Sequence, residues 1–218
     1  MSNDPVEHKG ENIRMRIAPE SFSNIIFGLA LSIGSLVLIQ NQMGTLNDLV
    51  RNIFVFGFSF LIIALIWVLF RHTVNQLSTE SDSVLYLNLA LLFCVALEPY
   101  FYYLLWNNSS AIVSLLGTTS AAYALDVGFM FLILATLELV AIKQNVGDEK
   151  DPSRTKLLKR DIFARCAVGL AFLFSAAPIF WIPTTIATQH VRNLIWIGSV
   201  VSFIIAHALY TRYYLEGA

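Results

Sequence analysis

The chain has 218 residues and a formal net charge of −1; 56% of its residues are hydrophobic and only 13% are charged. A soluble domain is closer to half apolar and a quarter charged. The excess apolar residues form runs of about 18 or more, which is the length that crosses a bilayer. The composition therefore excludes an ordinary soluble protein and predicts a polytopic membrane protein. It leaves no basic face for a nucleic-acid partner.

The order of polar and apolar segments predicts an all-α membrane protein with six transmembrane helices. Residues 1–20 are polar and contain no apolar core, so they predict a cytoplasmic N-terminal segment and not a signal peptide. The charged residues 144–160 predict a cytoplasmic loop inside the transmembrane domain expected over 21–213. The six helices are expected over about 21–40, 48–74, 83–106, 121–143, 161–182 and 191–213.

The distribution of basic residues predicts the orientation of these helices. Of the 14 Lys and Arg residues, only Arg51 and Arg192 fall on the side opposite the termini. Basic residues concentrate on the cytoplasmic side of membrane proteins, so both termini are expected to be cytoplasmic. An even number of spans agrees with this placement.

The first apolar helix differs from the others because it is uncharged and rich in small and hydroxyl residues. With 3.6 residues per turn, Leu29, Ile33, Leu36 and Gln40 fall on one stripe. Gly28, Ser32 and Ser35 fall on the adjacent stripe, and small residues four apart allow helices to approach closely.

Two interpretations of this helix stay open at this point. The small residues are also found in ordinary packing between membrane helices. If copies of the helix instead meet around an axis, Leu29, Ile33 and Leu36 form stacked apolar rings that can gate by dewetting. The hydroxyl of Ser32 would then replace part of an ion's hydration shell.

Ionisable residues within the membrane are costly and are therefore candidates for function. Glu98 and Asp126 lie toward the external half of their helices and predict either an ion or proton path or a structural hydrogen bond. Glu138 is expected to reach the headgroups at the inner surface. His207 in the last helix is expected to serve packing or to lie at the membrane interface.

Aromatic and cysteine residues predict structural roles. The tryptophans and the Tyr100–Tyr103 cluster are expected to form an interfacial belt, and the cysteines are expected to be small buried hydrophobes. The tryptophans are Trp67, Trp106, Trp181 and Trp196, and the cysteines are Cys94 and Cys166. Phosphate-binding loops, zinc-binding helix motifs and nucleophile elbows are absent, so no enzyme, cofactor or metal is expected.

The sequence resembles the endolysosomal transmembrane potassium channels in their prokaryotic six-helix form. The resemblance begins with Phe22, Ser23 and Asn24, which stand where the family opens helix one with Phe-Ser-Asp. Trp67 matches the tryptophan near the end of helix two, and Asn88-Leu89 matches the Asn-Leu of helix three. Pro99-Tyr100, the helix count, the topology and the basic loop before helix five also match.

Three positions depart from the family pattern. The family's Asp is Asn24 here, its Arg is Ala18, and its His is Phe70. In the family these groups form a polar network at the inner ends of the helices. A neutral network that involves Asn24, Trp67 and Asn88 is therefore expected in its place.

The resemblance implies a homotetramer with four copies of helix one around a pore. It places the tightest constriction at Leu29, later apolar layers near Ile33 and Leu36, and the hydroxyl that favours potassium at Ser32. The expected partners are potassium ions, membrane lipids and further copies of the chain. Two alternatives are a small transporter that uses Glu98, Asp126 and His207, and a non-conducting protein that keeps the channel fold.

Overall fold

The computed structural model describes residues 21–36, 45–77, 81–107, 113–145, 152–180 and 186–216. Within these ranges the regular structure is helical: α1 Ser21–Leu36, α2 Leu46–Val74, α3 Asp82–Asn107, α4 Val113–Asn145, α5 Pro152–Ser175, a 3₁₀ turn Pro178–Phe180, and α6 Ile186–Glu216. Residues 1–20, with Ala18, lie outside the described residues, as do Gln40 and Trp181. The side chain of Trp106 is likewise not described.

The start of α2 is fixed by a reciprocal cap. Thr45 Oγ1 accepts a hydrogen bond from the backbone N–H of Asp48 at 3.2 Å, and the Thr45 N–H donates to Asp48 Oδ2 at 3.0 Å. This capping box satisfies two backbone N–H groups that would otherwise lack partners. The helix consequently begins two residues before the predicted Asp48, at Leu46.

The bounds of α5 differ most from the prediction. The helix begins at Pro152, so the second half of the predicted 144–160 loop is helical. Proline is favoured in the first turn of a helix, where its missing N–H has no partner to lose. The helix ends at Ser175 and not at Ile182, because Pro178 lacks the N–H that would continue the ladder.

Four stretches of the described residues are long and apolar enough to cross a bilayer: Leu46–Val74, Asp82–Leu105, Gly117–Gln144 and Val191–Ala208. The described part of α1 is apolar but shorter, and the first turns of α5 are charged. The chain is thus a multi-pass membrane protein, and the count of six spans stays a prediction.

Helix α4 lies at the centre of the fold and packs most closely on α5 and α3. Its contact with α5 includes a backbone crossing. A Cβ atom built on Gly128 would lie 3.1 Å from the Gly169 carbonyl oxygen, and one built on Gly169 would lie 3.0 Å from the Gly128 carbonyl oxygen. Two facing glycines therefore let α4 and α5 approach more closely than side chains would allow.

An aromatic cluster fills the core beside this crossing, and it corrects the predicted interfacial belt. Trp196 is buried, and its Nε1 donates to Ser175 Oγ at 2.7 Å. Its ring stacks on Phe172 with a centroid separation of 5.9 Å and lies 5.1 Å from the ring of Tyr123. Tyr102, within the predicted tyrosine belt, is also buried. The indole N–H has a partner inside the protein, so these rings do not need the membrane interface.

Cys94 and Cys166 are free thiols of intermediate burial. They lie on α3 and α5, respectively, within apolar sequence.

Candidate pore helix and buried polar clusters

One face of helix α1 packs against α2 and α3, and the other face is exposed in the subunit. Ser23, Phe27 and Ala30 are buried, with at most 2% of each residue exposed. The uncovered large apolar residues recur every three or four positions and are Phe22, Ile25, Leu29, Ile33 and Leu36. A helix repeats every 3.6 residues, so these residues share one side.

Two polar contacts anchor the N-terminal end of α1. The Nε1 of Trp67, on α2, donates to Asn24 Oδ1 at 3.0 Å. The Nδ2 of Asn88, on α3, lies 3.4 Å from Ser23 Oγ in donor geometry. Both contacts use neutral groups, and they bring together four of the residues singled out from the sequence.

An apolar contact occupies the place where the family has a histidine. The ring of Phe70 is buried and lies 5.7 Å from the ring of Phe27, centroid to centroid. Further along the helix, a Cβ atom on Gly34 would lie 3.7 Å from the Phe56 ring of α2. Polar contacts at one end and apolar contacts along its length thus fix which face of α1 is turned away from α2 and α3.

The uncovered face carries the four residues predicted to line a pore. Leu29, Ile33 and Leu36 are 52%, 48% and 51% exposed, respectively, and Ser32 is exposed among them. Ser32 Oγ donates its proton to the Gly28 carbonyl oxygen at 2.8 Å. Because the proton is used within the helix, the oxygen lone pairs of the hydroxyl remain available to a cation.

A buried ion pair beside Thr73, near the C-terminal end of α2, was not predicted from the sequence. Arg165 Nη1 lies 2.9 Å from Glu138 Oε2, and at most 1% of either side chain is exposed. The same nitrogen donates to Thr73 Oγ1 at 2.7 Å and to the Leu134 carbonyl at 3.3 Å. The expectation that Glu138 reaches the headgroups is therefore wrong, because α2, α4 and α5 enclose it. The sequence did contain a signal for this pair, because an acidic and a basic residue lie in two consecutive apolar helices.

The two remaining acids lie together between α2, α3 and α4. Ser59 Oγ donates to Glu98, with its oxygens at 2.8 and 3.0 Å, and Glu98 is fully buried. Asp126 is 6% exposed and interacts electrostatically with Glu98. His207 is elsewhere: it is exposed and stacks on Phe203 of α6 at 6.2 Å. The three groups of the predicted transporter path do not share one site.

Comparison with known proteins gives a family match that covers the candidate pore helix and its anchors. Residues 19–99 match the model of a family described as endosomal/lysosomal potassium channel TMEM175. The fold is similar to the crystal structure of a variant of the potassium channel MtTMEM175 in complex with a nanobody–MBP fusion protein. The TM-score is 0.63 at 18% identity, with 89% of this chain and 93% of that chain covered. The chain is thus similar to the TMEM175 family over residues 19–99, and it shares the fold of this potassium channel.

The TMEM175 match has two direct consequences. Both the family and the similar structure are ion channels, not enzymes. The matched range also contains Asn24, Trp67 and Asn88, so the polar anchors of α1 lie within the family region. A search of curated proteins found no match.

Proposed function

We propose that the chain is the subunit of a potassium-preferring cation channel, a homotetramer in which four copies of α1 surround the pore. The match to the TMEM175 family and the similarity to a potassium channel fold support a channel. The observation that carries the assignment of the pore is the two-sided character of α1. One side is anchored by Ser23, Asn24 and Phe27, and the other presents regularly spaced apolar residues that the chain does not cover.

In this proposal the uncovered apolar residues form the gate. Leu29 and Ile33 are four positions apart, and Leu36 follows three positions later, so their layers would lie about 6 and about 5 Å apart along the axis. Rings of branched apolar side chains exclude water from a narrow pore, and a hydrated ion then meets a barrier. Leu29 forms the narrowest layer, and the other two extend the dry region.

Ser32 supplies an exposed hydroxyl layer between Leu29 and Leu36, whereas Ser35 in the same stretch is of intermediate burial. Four copies would present four oxygen atoms whose protons are already donated to the Gly28 carbonyls. Such oxygens replace part of the hydration shell of a cation and do not offer a proton to it. We infer that this layer favours potassium over sodium.

The surroundings of the channel follow from the same geometry. Large apolar side chains are uncovered on the outer helices, and lipid or a neighbouring subunit would cover them: Phe93 on α3, Phe163 and Phe174 on α5, and Leu194 on α6. The proposed location is the cell membrane with both termini in the cytoplasm, since twelve of the 14 basic residues fall on that side of the predicted topology.

Currents across planar bilayers test the assignment of the pore. Leu29→Ala is expected to raise the leak current, because a smaller side chain widens and wets the narrowest layer. Ser32→Ala is expected to shift the reversal potential toward lower potassium preference, and Ser32→Thr should keep the preference of the parent. Leu194→Ala is the matched control, since it shortens an uncovered leucine on α6. Unchanged currents and reversal potentials in both α1 alanine variants would exclude this mechanism.

A further inference from the structure

A second polar site lies inside the subunit, away from the uncovered face of α1. We define the buried oxygen cluster as Ser59 of α2, Glu98 of α3, and Tyr123 and Asp126 of α4. Each residue is at most 6% exposed. Tyr123 and Asp126 are three positions apart and therefore share one face of α4.

The cluster contains two carboxyl groups and no paired base. No ion pair joins Glu98 or Asp126 to a basic residue in the described part of the chain. Arg192 lies over the ring of Trp196 at 5.3 Å, and it forms no ion pair with either carboxyl group within the described residues. Glu138 differs from these two acids, because it forms an ion pair with Arg165.

Two oxygen atoms of the cluster are buried without a hydrogen bond of normal geometry among the described residues: the hydroxyl of Tyr123, which lies beside Glu98, and Oδ2 of Asp126, a residue that lies beside the Cys94 thiol. Tyr123 is fully buried and interacts electrostatically with both Glu98 and Asp126, so its hydroxyl belongs to this cluster. A buried polar atom without a partner costs free energy, and such an atom in a native fold indicates a missing ligand or water. An unneutralised carboxylate in a membrane interior costs still more.

We propose that the buried oxygen cluster binds one dehydrated alkali cation in each subunit. The ligands are hard oxygen atoms from three helices, which suit a hard cation and not a soft metal. One monovalent cation together with one protonated carboxyl group makes the site neutral overall. Magnesium retains several waters, which a buried site does not supply. Calcium takes six to eight oxygens, and the four side chains carry six, so it would need every one of them, although both oxygens of Glu98 already accept from Ser59. This proposal does not depend on α1 lining the pore.

Thermal unfolding of the purified full-length protein in detergent tests the proposal at fixed pH and ionic strength. N-methylglucamine chloride is replaced stepwise by sodium, potassium or calcium chloride. A ligand that binds only the folded state raises the unfolding temperature with the logarithm of its concentration above the dissociation constant, here by roughly 5–11 °C when the ion exceeds that constant about 100-fold. The rise is expected with sodium or potassium, and comparing these two salts identifies the preferred cation.

Variants separate this site from the pore. Glu98→Gln and Asp126→Asn should each abolish the rise, and Tyr123→Phe, which keeps the ring contacts, should raise the ion concentration needed at least several-fold. Ser32→Ala should retain the full rise, so failure of the pore proposal would not affect this result. If either carboxamide variant does not fold, Tyr123→Phe and Ser59→Ala decide.

Three results would overturn the proposal. The first is an equal unfolding temperature in all four chloride salts, which would leave two protonated carboxyl groups as the neutral form. The second is a rise with calcium alone. The third is an increase in unfolding temperature with sodium or potassium that is the same in every folded cluster variant as in the wild type. This result would mean that the ion binds elsewhere in the protein.

Discussion

Replacing Glu138 by alanine should destabilise the fold severely, because it removes the ion-pair partner of the buried guanidinium of Arg165 and leaves only the weaker electrostatic effect of Asp161. Arg165 is 1% exposed and contacts Glu138 at 2.9 Å; its other contacts are the neutral oxygens of Thr73 and Leu134. Those hydrogen bonds remain in the variant, but they carry no charge. Removing one partner of a buried ion pair costs roughly 3–5 kcal/mol, and we expect the loss in unfolding free energy to fall in that range.

Denaturant or SDS titration of the purified protein, followed by tryptophan fluorescence, measures this loss. The matched control is Arg160→Gln, which breaks the partly exposed pair with Asp161 at 2.6 Å, keeps the charge of Asp161 near Arg165, and should cost at most about 1 kcal/mol. The double variant Glu138→Leu, Arg165→Leu should recover much of the loss, since an apolar pair needs no neutralisation. A loss below about 1 kcal/mol in Glu138→Ala would refute the reasoning, because it would mean that Arg165 reaches water or another acid.

Two further predictions concern helix packing and the anchor of α1. Gly128→Ala should lower the unfolding free energy by about 1–3 kcal/mol, because the new methyl group would meet Leu173 at 2.9 Å and the opposite backbone. Gly198→Ala, where no atom lies within 4 Å, should instead be neutral or stabilising, and equal losses in both glycine variants would contradict the crossing. Trp67→Phe removes the 3.0 Å hydrogen bond to Asn24 and should cost about 1 kcal/mol in thermal unfolding. Asn24→Asp keeps an acceptor and should lose less, so a reversed order would argue against this anchor.

Much of the architecture could be predicted because apolar runs and their polar boundaries are local signals. The capping box of Thr45 and Asp48 is also a local signal, although the prediction placed the start of α2 at Asp48, two residues after the observed start at Leu46. The early start of α5 was missed because its first turns are charged, and hydropathy indicates which residues lie in the membrane but not where a helix begins. Its end at Ser175 was missed because the apolar run continues past Pro178, and hydropathy does not register a missing backbone N–H.

Contacts between distant residues set the limit of prediction at the candidate sites. The 3.6-residue period of α1 predicts which of its residues share a face, and the fold leaves the face that carries Leu29 and Leu36 exposed. The pairing of Glu138 with Arg165 spans two helices, and helical periodicity gives no rotation of one helix relative to another. Trp196 resembled a belt residue for the same reason, since its partner Ser175 lies on the preceding helix.

The most direct test of the central claim is ion flux through liposomes that contain the purified wild-type protein. An outward potassium gradient drives proton uptake through an added protonophore, and a pH-sensitive dye reports it; a sodium gradient of equal size serves as the comparison. We predict rapid uptake with potassium and much weaker uptake with sodium. Equal uptake with both ions would contradict the proposed potassium preference, and no uptake with either, from folded oligomeric protein, would contradict the proposal that the chain forms a conducting channel.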